Sequence, residues 1–177
     1  MPKLEDVLKT KYKNCFTTLK STSYDKEHDL YMCKSYKKVI DFDRLTREIF
    51  PINHPSSYDA LWSNEDLEQI YGVEFKNQDK SGVKNKKIQK KAKDSKITLE
   101  IIANKHEIVL QNYKLIYCVV YKSNPNKKEY QTRFDTNGIH FELKQFKGLY
   151  FDEVITNNID YFTELFVQQI NKIKDKI

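Results

Sequence analysis

One aspartate, one glutamate and one lysine have a spacing that could support metal-ion chemistry. Asp59 belongs to the segment Tyr58–Trp62, and Glu74 and Lys76 follow in the segment Tyr71–Lys76. Both segments are rich in aromatic and apolar residues and are predicted to be strands. Because side chains alternate between the faces of a strand, Glu74 and Lys76 then share one face.

The polar residues Ser63 to Asp66 separate the two segments and are typical of a turn. A hairpin through this turn would bring Asp59 beside Glu74. The charged face of the second strand would carry Ile70, Gly72, Glu74 and Lys76, and the apolar face would carry Tyr71, Val73 and Phe75. Trp62 falls on the face opposite Asp59, which favours packing in the core over stacking on a base.

Two adjacent carboxylates are suitable ligands for Mg²⁺, which prefers oxygen and also binds phosphate. A bound Mg²⁺ activates water and neutralises charge that develops on phosphorus. Lys76 would hold that water or stabilise the phosphorane. The alternative is that Glu74 and Lys76 form an ordinary solvated ion pair, worth under about 1 kcal/mol.

Composition indicates a globular protein without disulfides. The chain has 177 residues, of which 39% are hydrophobic, 13% aromatic and 32% charged. Its three cysteines lack C-x-x-C spacing, so we expect buried free thiols. The N-terminus lacks a signal-peptide-like apolar stretch, and the longest apolar run, Leu115–Tyr121, is too short to span a bilayer. We therefore expect a cytoplasmic protein with no membrane association.

The net charge of +6 is concentrated in one segment. Between Lys80 and Lys96 there are eight lysines and a single acidic residue, Asp94. Such a segment suits phosphate, although a solvated helix face is the ordinary alternative. The lysines expected to bind nucleic acid are Lys84, Lys86, Lys87, Lys90 and Lys93.

Hydrophobic periodicity predicts alternating helices and strands. The spacing predicts helices over Lys3–Leu19, from Asp41 until Pro51, and from Val83 to about Lys105. The apolar segment Tyr113–Tyr121 is typical of a strand buried on both faces. Further strands are predicted within Arg133–Phe146, around the Asn137-Gly138 turn, and a terminal helix is predicted from Ile159 to Ile173.

Other chemistry finds little support in the sequence. The histidines are scattered and lack zinc-ligand spacing, and only His54 lies close to Asp59. Four glycines form neither a P-loop nor a nucleophile elbow. The sequence therefore gives no motif for a hydrolase with a catalytic triad or for a P-loop NTPase.

With this order of elements, the segment Asp41 to Tyr121 resembles the PD-(D/E)XK nuclease superfamily. The resemblance implies an α/β fold with a restriction-endonuclease-like mixed central sheet flanked by helices, with a core of the αβββαβ type. We expect one domain over 1–177. Within it, 1–38 would form an N-terminal helix and loop, 39–122 the core, and 123–177 additional strands and a C-terminal helix.

The resemblance also implies residue roles. Asp59 and Glu74 match the metal ligands of the superfamily, and Lys76 matches its catalytic lysine. Glu48 matches a further acidic residue that the first core helix often supplies. Gln78, and Gln89 or Lys90, match auxiliary polar positions. The chain departs from the motif at Tyr58, where the superfamily carries the proline that names it.

The expected function is hydrolysis of phosphodiester bonds, in DNA in the first instance, with Mg²⁺ or Mn²⁺ and with a homodimer allowed. Two alternatives stay open. The first is a catalytically inactive module of the same fold that binds nucleic acid or protein. The second is an unrelated α/β domain in which Glu74 and Lys76 form a surface ion pair.

Overall fold

The computed structural model describes residues 2–123 and 138–167, without the side chains of 164–166. Its described part contains a mixed sheet of six strands and a separate two-stranded hairpin. The sheet strands are β1 (Phe16–Thr18), β4 (Lys38–Asp41), β5 (Ala60–Asn64), β6 (Gln69–Lys76), β7 (Lys114–Tyr121) and β8 (Glu153–Asn158). The hairpin consists of β2 (Tyr24–Asp25) and β3 (Leu30–Tyr31).

Helices of very different length accompany the sheet. They are α1 (Leu4–Lys11), α2 (Leu19–Thr22), α3 (Phe42–Ile49), α4 (Asn85–Lys105) and α5 (Ile159–Tyr161), which continues as a π-helical segment, Phe162–Val167. Short 3₁₀ helices span Lys13–Cys15, Leu110–Asn112 and Leu143–Phe146. No helix of the described residues is both long and apolar enough to cross a membrane.

The sheet changes from antiparallel to parallel at β6. Its strand order is β1-β4-β5-β6-β7-β8, with antiparallel pairs up to β6 and parallel pairs beyond it. Helix α4 supplies the crossover from β6 to β7 that a parallel pair requires. The carboxyl ends of β6, β7 and β8 therefore lie at the same edge of the sheet, beside the start of β5.

Apolar side chains cover both faces of this sheet. One face packs against α1, α3, α4 and the turns around Phe146, as shown by buried Leu8, Leu45 and Ile88. The other face packs against α2 and the segment after β8, with Leu19 and Phe162 buried there. The sheet is thus a central layer, and its central strand β7 is apolar on both faces, as its sequence predicts.

The α/β class, the hairpin and helix α4 are confirmed. The predicted helix Lys3–Leu19 is wrong beyond Lys11, because Tyr12 leaves the helical region with φ −126° and β1 follows. Strands β1, β2, β3 and β4 lie where no strand was predicted, and β8 lies in the 123–177 segment expected to hold further strands but beyond Arg133–Phe146. The three cysteines are buried and free, as predicted.

The expectation for Arg133–Phe146 lies partly outside the described residues. Its described portion forms turns and the 3₁₀ helix Leu143–Phe146 instead of a strand. The terminal helix is present over Ile159–Tyr161 and changes to π-helical geometry afterwards. Ile170 and Ile173 lie outside the described residues.

Candidate active site

Asp59 lies immediately before β5 and is fixed by three hydrogen bonds. Its backbone N–H donates to the carbonyl of Val73 (2.9 Å), and its own carbonyl accepts from the N–H of Phe42 (3.2 Å). Its carboxylate Oδ2 accepts from the N–H of Phe75 at 2.6 Å. Since Ala60 pairs with Val73, Asp59 lies level with Glu74 at the end of the hairpin.

Tyr58, the residue before Asp59, packs in the core and so fixes the backbone that leads to Asp59. Its ring is buried and stacks on Phe42 with centroids 4.4 Å apart, and its N–H donates to Ser95 Oγ at 2.9 Å. The ring also fills the space above Gly72, where a Cβ atom would lie 2.7 Å from ring carbons. Tyr58 is therefore a packing residue here.

Glu74 is fully buried and bound by two lysines. The ammonium of Lys91, on α4, lies 2.8 and 2.9 Å from the two Glu74 carboxylate oxygens. The same Lys91 Nζ lies 3.4 Å from Asp59 Oδ1. Lys76, two residues along β6, also forms an ion pair with Glu74 Oε1. Two carboxylates thus converge on one cation, and the solvated surface ion pair considered from the sequence is excluded by the burial of Glu74.

The electrostatics reflect this crowding of charge. Burial first, and then the nearby Glu74 charge, raise the pKa of Asp59 to about 7. Burial alone would lower the pKa of Lys91, but attraction to Glu74 and Asp59 raises it on balance. Burial, followed by the charges of Glu74 and Asp59, also raises the pKa of Tyr117 well above its usual value. The Tyr117 hydroxyl has no hydrogen-bond partner among the described residues.

An open cleft of about 450 Å³ borders this cluster of charges. Asp59 and Lys76 line it together with Gln78, Lys84 and Lys87. The end of α2, strand β2 and the loop joining β2 to β3 line it as well. The cleft therefore gives solvent, or a ligand, access to Asp59 and Lys76 beside a basic rim.

Several predicted residues lie elsewhere. Glu48 Oε2 accepts from the Cys15 thiol at 3.3 Å, and Gln89 donates to the Phe141 carbonyl at 3.1 Å. His54 is exposed in the loop after α3. The structure thus shows no contact of these three side chains with Asp59 or Glu74 among the described residues.

The predicted nucleic-acid-binding lysines, from the N-cap Lys84 into α4, have different surroundings. Lys84 and Lys87 line the cleft, whereas Lys90 forms an ion pair with Asp94. Lys93 lies over the ring of Phe146, 5.5 Å from its centroid. Lys86 is exposed.

Lys91 is the residue that sequence reasoning missed. It lies one position beyond the auxiliary residue suggested at Lys90. A usable signal existed, since Lys84, Lys87 and Lys91 recur at i, i+3 and i+7 and so share one side of α4. That side is the one that meets the carboxylates.

A second acidic group lies along the same cleft. Ligand atoms of Asp25, Glu27 and His28 lie within 4.8 Å of one another. A hydrogen bond from Asn77, and then one from His28, lower the pKa of Asp25. The His28 contact within the hairpin and the Asn77 contact from the end of β6 account for the position of Asp25 without a metal.

Asp59 and Glu74 have the chemistry of metal ligands, but the Lys91 ammonium lies at the position that both carboxylates share. Carboxylate oxygens are the ligands that Mg²⁺ prefers, and both groups already approach one cation, the Lys91 ammonium. Glu48 is not part of this set, because its carboxylate contacts Cys15.

Comparison with known proteins gives no match for this chain, whether with protein-family models, curated proteins or solved structures. The assignment of a function therefore depends on the site itself.

Proposed function

We propose that this protein is a Mg²⁺- or Mn²⁺-dependent nuclease with a restriction-endonuclease-like fold that hydrolyses phosphodiester bonds in DNA. The observation that carries the proposal is the convergence of Asp59 and Glu74 on a single cation position at the edge of the sheet. A lysine that follows the glutamate by two residues lies in the same place.

The topology supports this fold. Strands β4, β5 and β6 form an antiparallel meander, and α4 then leads to β7, which is parallel to β6. Along the chain, β1, α2, β2 and β3 separate α1 from these elements, and α3 lies between β4 and β5, so the αβββαβ order of the superfamily is present here only with insertions. Ligand sites in mixed and parallel sheets commonly lie at the carboxyl ends of the strands, where this cluster is found.

Each side chain has a role that its surroundings support. Asp59 and Glu74 would hold the metal ion, which supplies charge neutralisation and an activated water when bound. Lys76 lines the cleft and would donate hydrogen bonds to the attacking water or to a phosphate oxygen. Lys84 and Lys87 would attract the phosphates of the substrate along the cleft rim.

A cleavage assay on labelled single-stranded DNA, double-stranded DNA and RNA tests this function with Mg²⁺ and Mn²⁺. The parent should cut DNA, and Asp59→Asn should not, because the amide loses the charge needed to hold the metal. Asn can still accept the hydrogen bond from Phe75. Asp152→Asn is a matched control, since Asp152 Oδ2 accepts an N–H from Leu115 at 2.7 Å near the opposite end of β7. Metal-independent cleavage, or equal activity of Asp59→Asn, would disprove the assignment.

A second candidate is a catalytically inactive nucleic-acid-binding module of the same fold. The charge balance favours it, because Lys76 and Lys91 already neutralise Asp59 and Glu74 without a metal. Such a module would bind DNA through Lys84 and Lys87 yet show no cleavage and no uptake of Mn²⁺. Calorimetric titration with Mn²⁺ separates the two candidates.

A further inference from the structure

The position of Lys91 has a consequence for metal binding. Its ammonium occupies the point at which Asp59 and Glu74 converge, 2.8 Å from Glu74 Oε1 and 3.4 Å from Asp59 Oδ1. A metal ion held by the same oxygens would have ligand distances of about 2.1 Å. Such an ion would lie in the space that Lys91 Nζ occupies, so the two cations exclude each other.

Access to Glu74 is limited in the same way. Glu74 has no solvent exposure, and its two oxygens contact Lys91 and Lys76. A metal ion can therefore reach Glu74 only if an ammonium group moves. Lys91 bridges both carboxylates, whereas Lys76 pairs with Glu74, so Lys91 is the one that blocks a shared ligand position.

Lys91 has the freedom to leave. Its side chain retains 27% exposure, and it follows the cleft-lining Lys84 and Lys87 along one side of α4. Lys91 does not itself line the cleft, but the flexible four-carbon stem of a lysine would let its ammonium rotate toward it. There it would lie on the side from which phosphate would approach.

We propose that Lys91 is the resident counter-cation of Asp59 and Glu74 and a positioning residue that a divalent metal must displace. This inference depends on the metal site of the proposed function. Lys91 keeps the two carboxylates together while no metal is bound, and its ammonium competes with the metal for their oxygens. Metal affinity is consequently lower than the carboxylate pair alone would give.

Calorimetric titration with Mn²⁺ alone tests the inference without any cleavage step. Lys91→Gln should bind Mn²⁺ about 10 to 100 times more tightly than the parent, which corresponds to the loss of one charged hydrogen-bonding competitor. Lys91→Arg keeps a cation and should bind Mn²⁺ no more tightly than the parent. Lys96→Gln is the matched control on the same helix, since Lys96 pairs with Glu100, and its Mn²⁺ affinity should equal that of the parent.

The outcomes separate this inference from the proposed function. Tighter Mn²⁺ binding by Lys91→Gln, but not by Lys91→Arg or the control, supports displacement of the Lys91 ammonium by the metal. Removal of a lysine that only holds the carboxylates in place would lower the Mn²⁺ affinity instead. Unchanged or weaker binding by Lys91→Gln, with Mn²⁺ binding and cleavage by the parent, overturns the inference and leaves the nuclease assignment standing. If neither the parent nor any variant binds Mn²⁺, both are overturned.

Removal of Lys91 leaves the buried Glu74 with one partner fewer and can destabilise the variant. Thermal melting of each variant is therefore measured together with the titration. If Lys91→Gln is unfolded alone, Mn²⁺ should restore a cooperative melting transition by taking the place of the ammonium. Failure of Mn²⁺ to restore the fold would also overturn the inference.

Discussion

Lys91 on α4 and Glu74 on β6 are joined by two hydrogen bonds, with the Lys91 ammonium 2.8 and 2.9 Å from the two Glu74 oxygens. The contact ties the crossover helix to the strand that precedes it, directly at the candidate site. It also means that Glu74 contributes to folding as well as to the proposed chemistry. Glu74 has no solvent exposure, so the solvated Glu74–Lys76 ion pair that the sequence allowed does not form.

Glu74→Ala should therefore destabilise the protein, by on the order of 3 kcal/mol, because it leaves the half-buried Lys91 without its main partner. Urea denaturation measures the change. A double variant, Glu74→Ala with Lys91→Met, should recover a large part of the stability. Glu153→Ala is the control, since the Glu153–Lys114 pair is exposed and worth under about 1 kcal/mol. A melting temperature for Glu74→Ala at or above that of the parent would contradict the structural role.

Asp59 should make stability depend on pH. Its pKa is raised to about 7 from an ordinary value of 3.8, so the folded state binds the proton more tightly than the unfolded state. The stabilisation from the protonated form is complete below the unfolded pKa and is lost as pH rises through about 7. Asp59→Asn should match the parent near pH 4 and exceed it near pH 8 by on the order of 2 kcal/mol. Urea denaturation at several pH values tests this, and a difference that does not grow with pH would refute it.

The sequence predicted those parts of the site that depend on local pattern. Alternation in Tyr71–Lys76 gave the faces of β6 correctly, with Gly72 and Glu74 on the side that α4 covers. Helix α3 begins directly after Asp41, where the sequence predicted its start, and Asp41 accepts the N–H of Arg44 as its cap. These features follow from neighbouring residues, so one sequence suffices to find them.

Other features depend on long-range packing and were not accessible in this way. Strand β1 has three residues and exists through its pairing with β4, whose Ile40 lies opposite Phe16. The contact of Lys91 with Glu74 depends on how α4 is placed over the sheet, and helical periodicity gives the side of a helix but not its neighbour. The burial of Glu74 follows from that same placement.

The cleft lysines should govern affinity for nucleic acid. Lys84→Gln with Lys87→Gln should weaken DNA binding for all sequences and reduce the log–log salt slope by up to about two, at roughly 0.9 for each phosphate that a lysine no longer neutralises. Fluorescence anisotropy over a series of salt concentrations measures both quantities. Lys86→Gln with Lys93→Gln removes the same charge from positions that do not line the cleft. Equal slopes for the two double variants would show that the whole basic face contributes. The proposal that DNA binds along the cleft would then be wrong.

Gly72 should be sensitive to the addition of a single methyl group. A Cβ atom there would lie 2.7 Å from the ring of Tyr58, which is buried against Phe42 and cannot move away freely. Gly72→Ala should cost about 1 to 3 kcal/mol through overpacking and should weaken Mn²⁺ binding, because Tyr58 directly precedes Asp59, the proposed metal ligand.

Thermal melting and Mn²⁺ titration of Gly72→Ala test this. Gly82→Ala is the control, since the nearest atom would lie 3.4 Å away, and its stability should change by under about 0.5 kcal/mol. Tyr58→Leu introduced with Gly72→Ala should recover part of the stability, because a smaller side chain makes room for the methyl group. If Gly72→Ala is as stable as the parent and binds Mn²⁺ equally well, the Tyr58 ring does not set the position of Asp59.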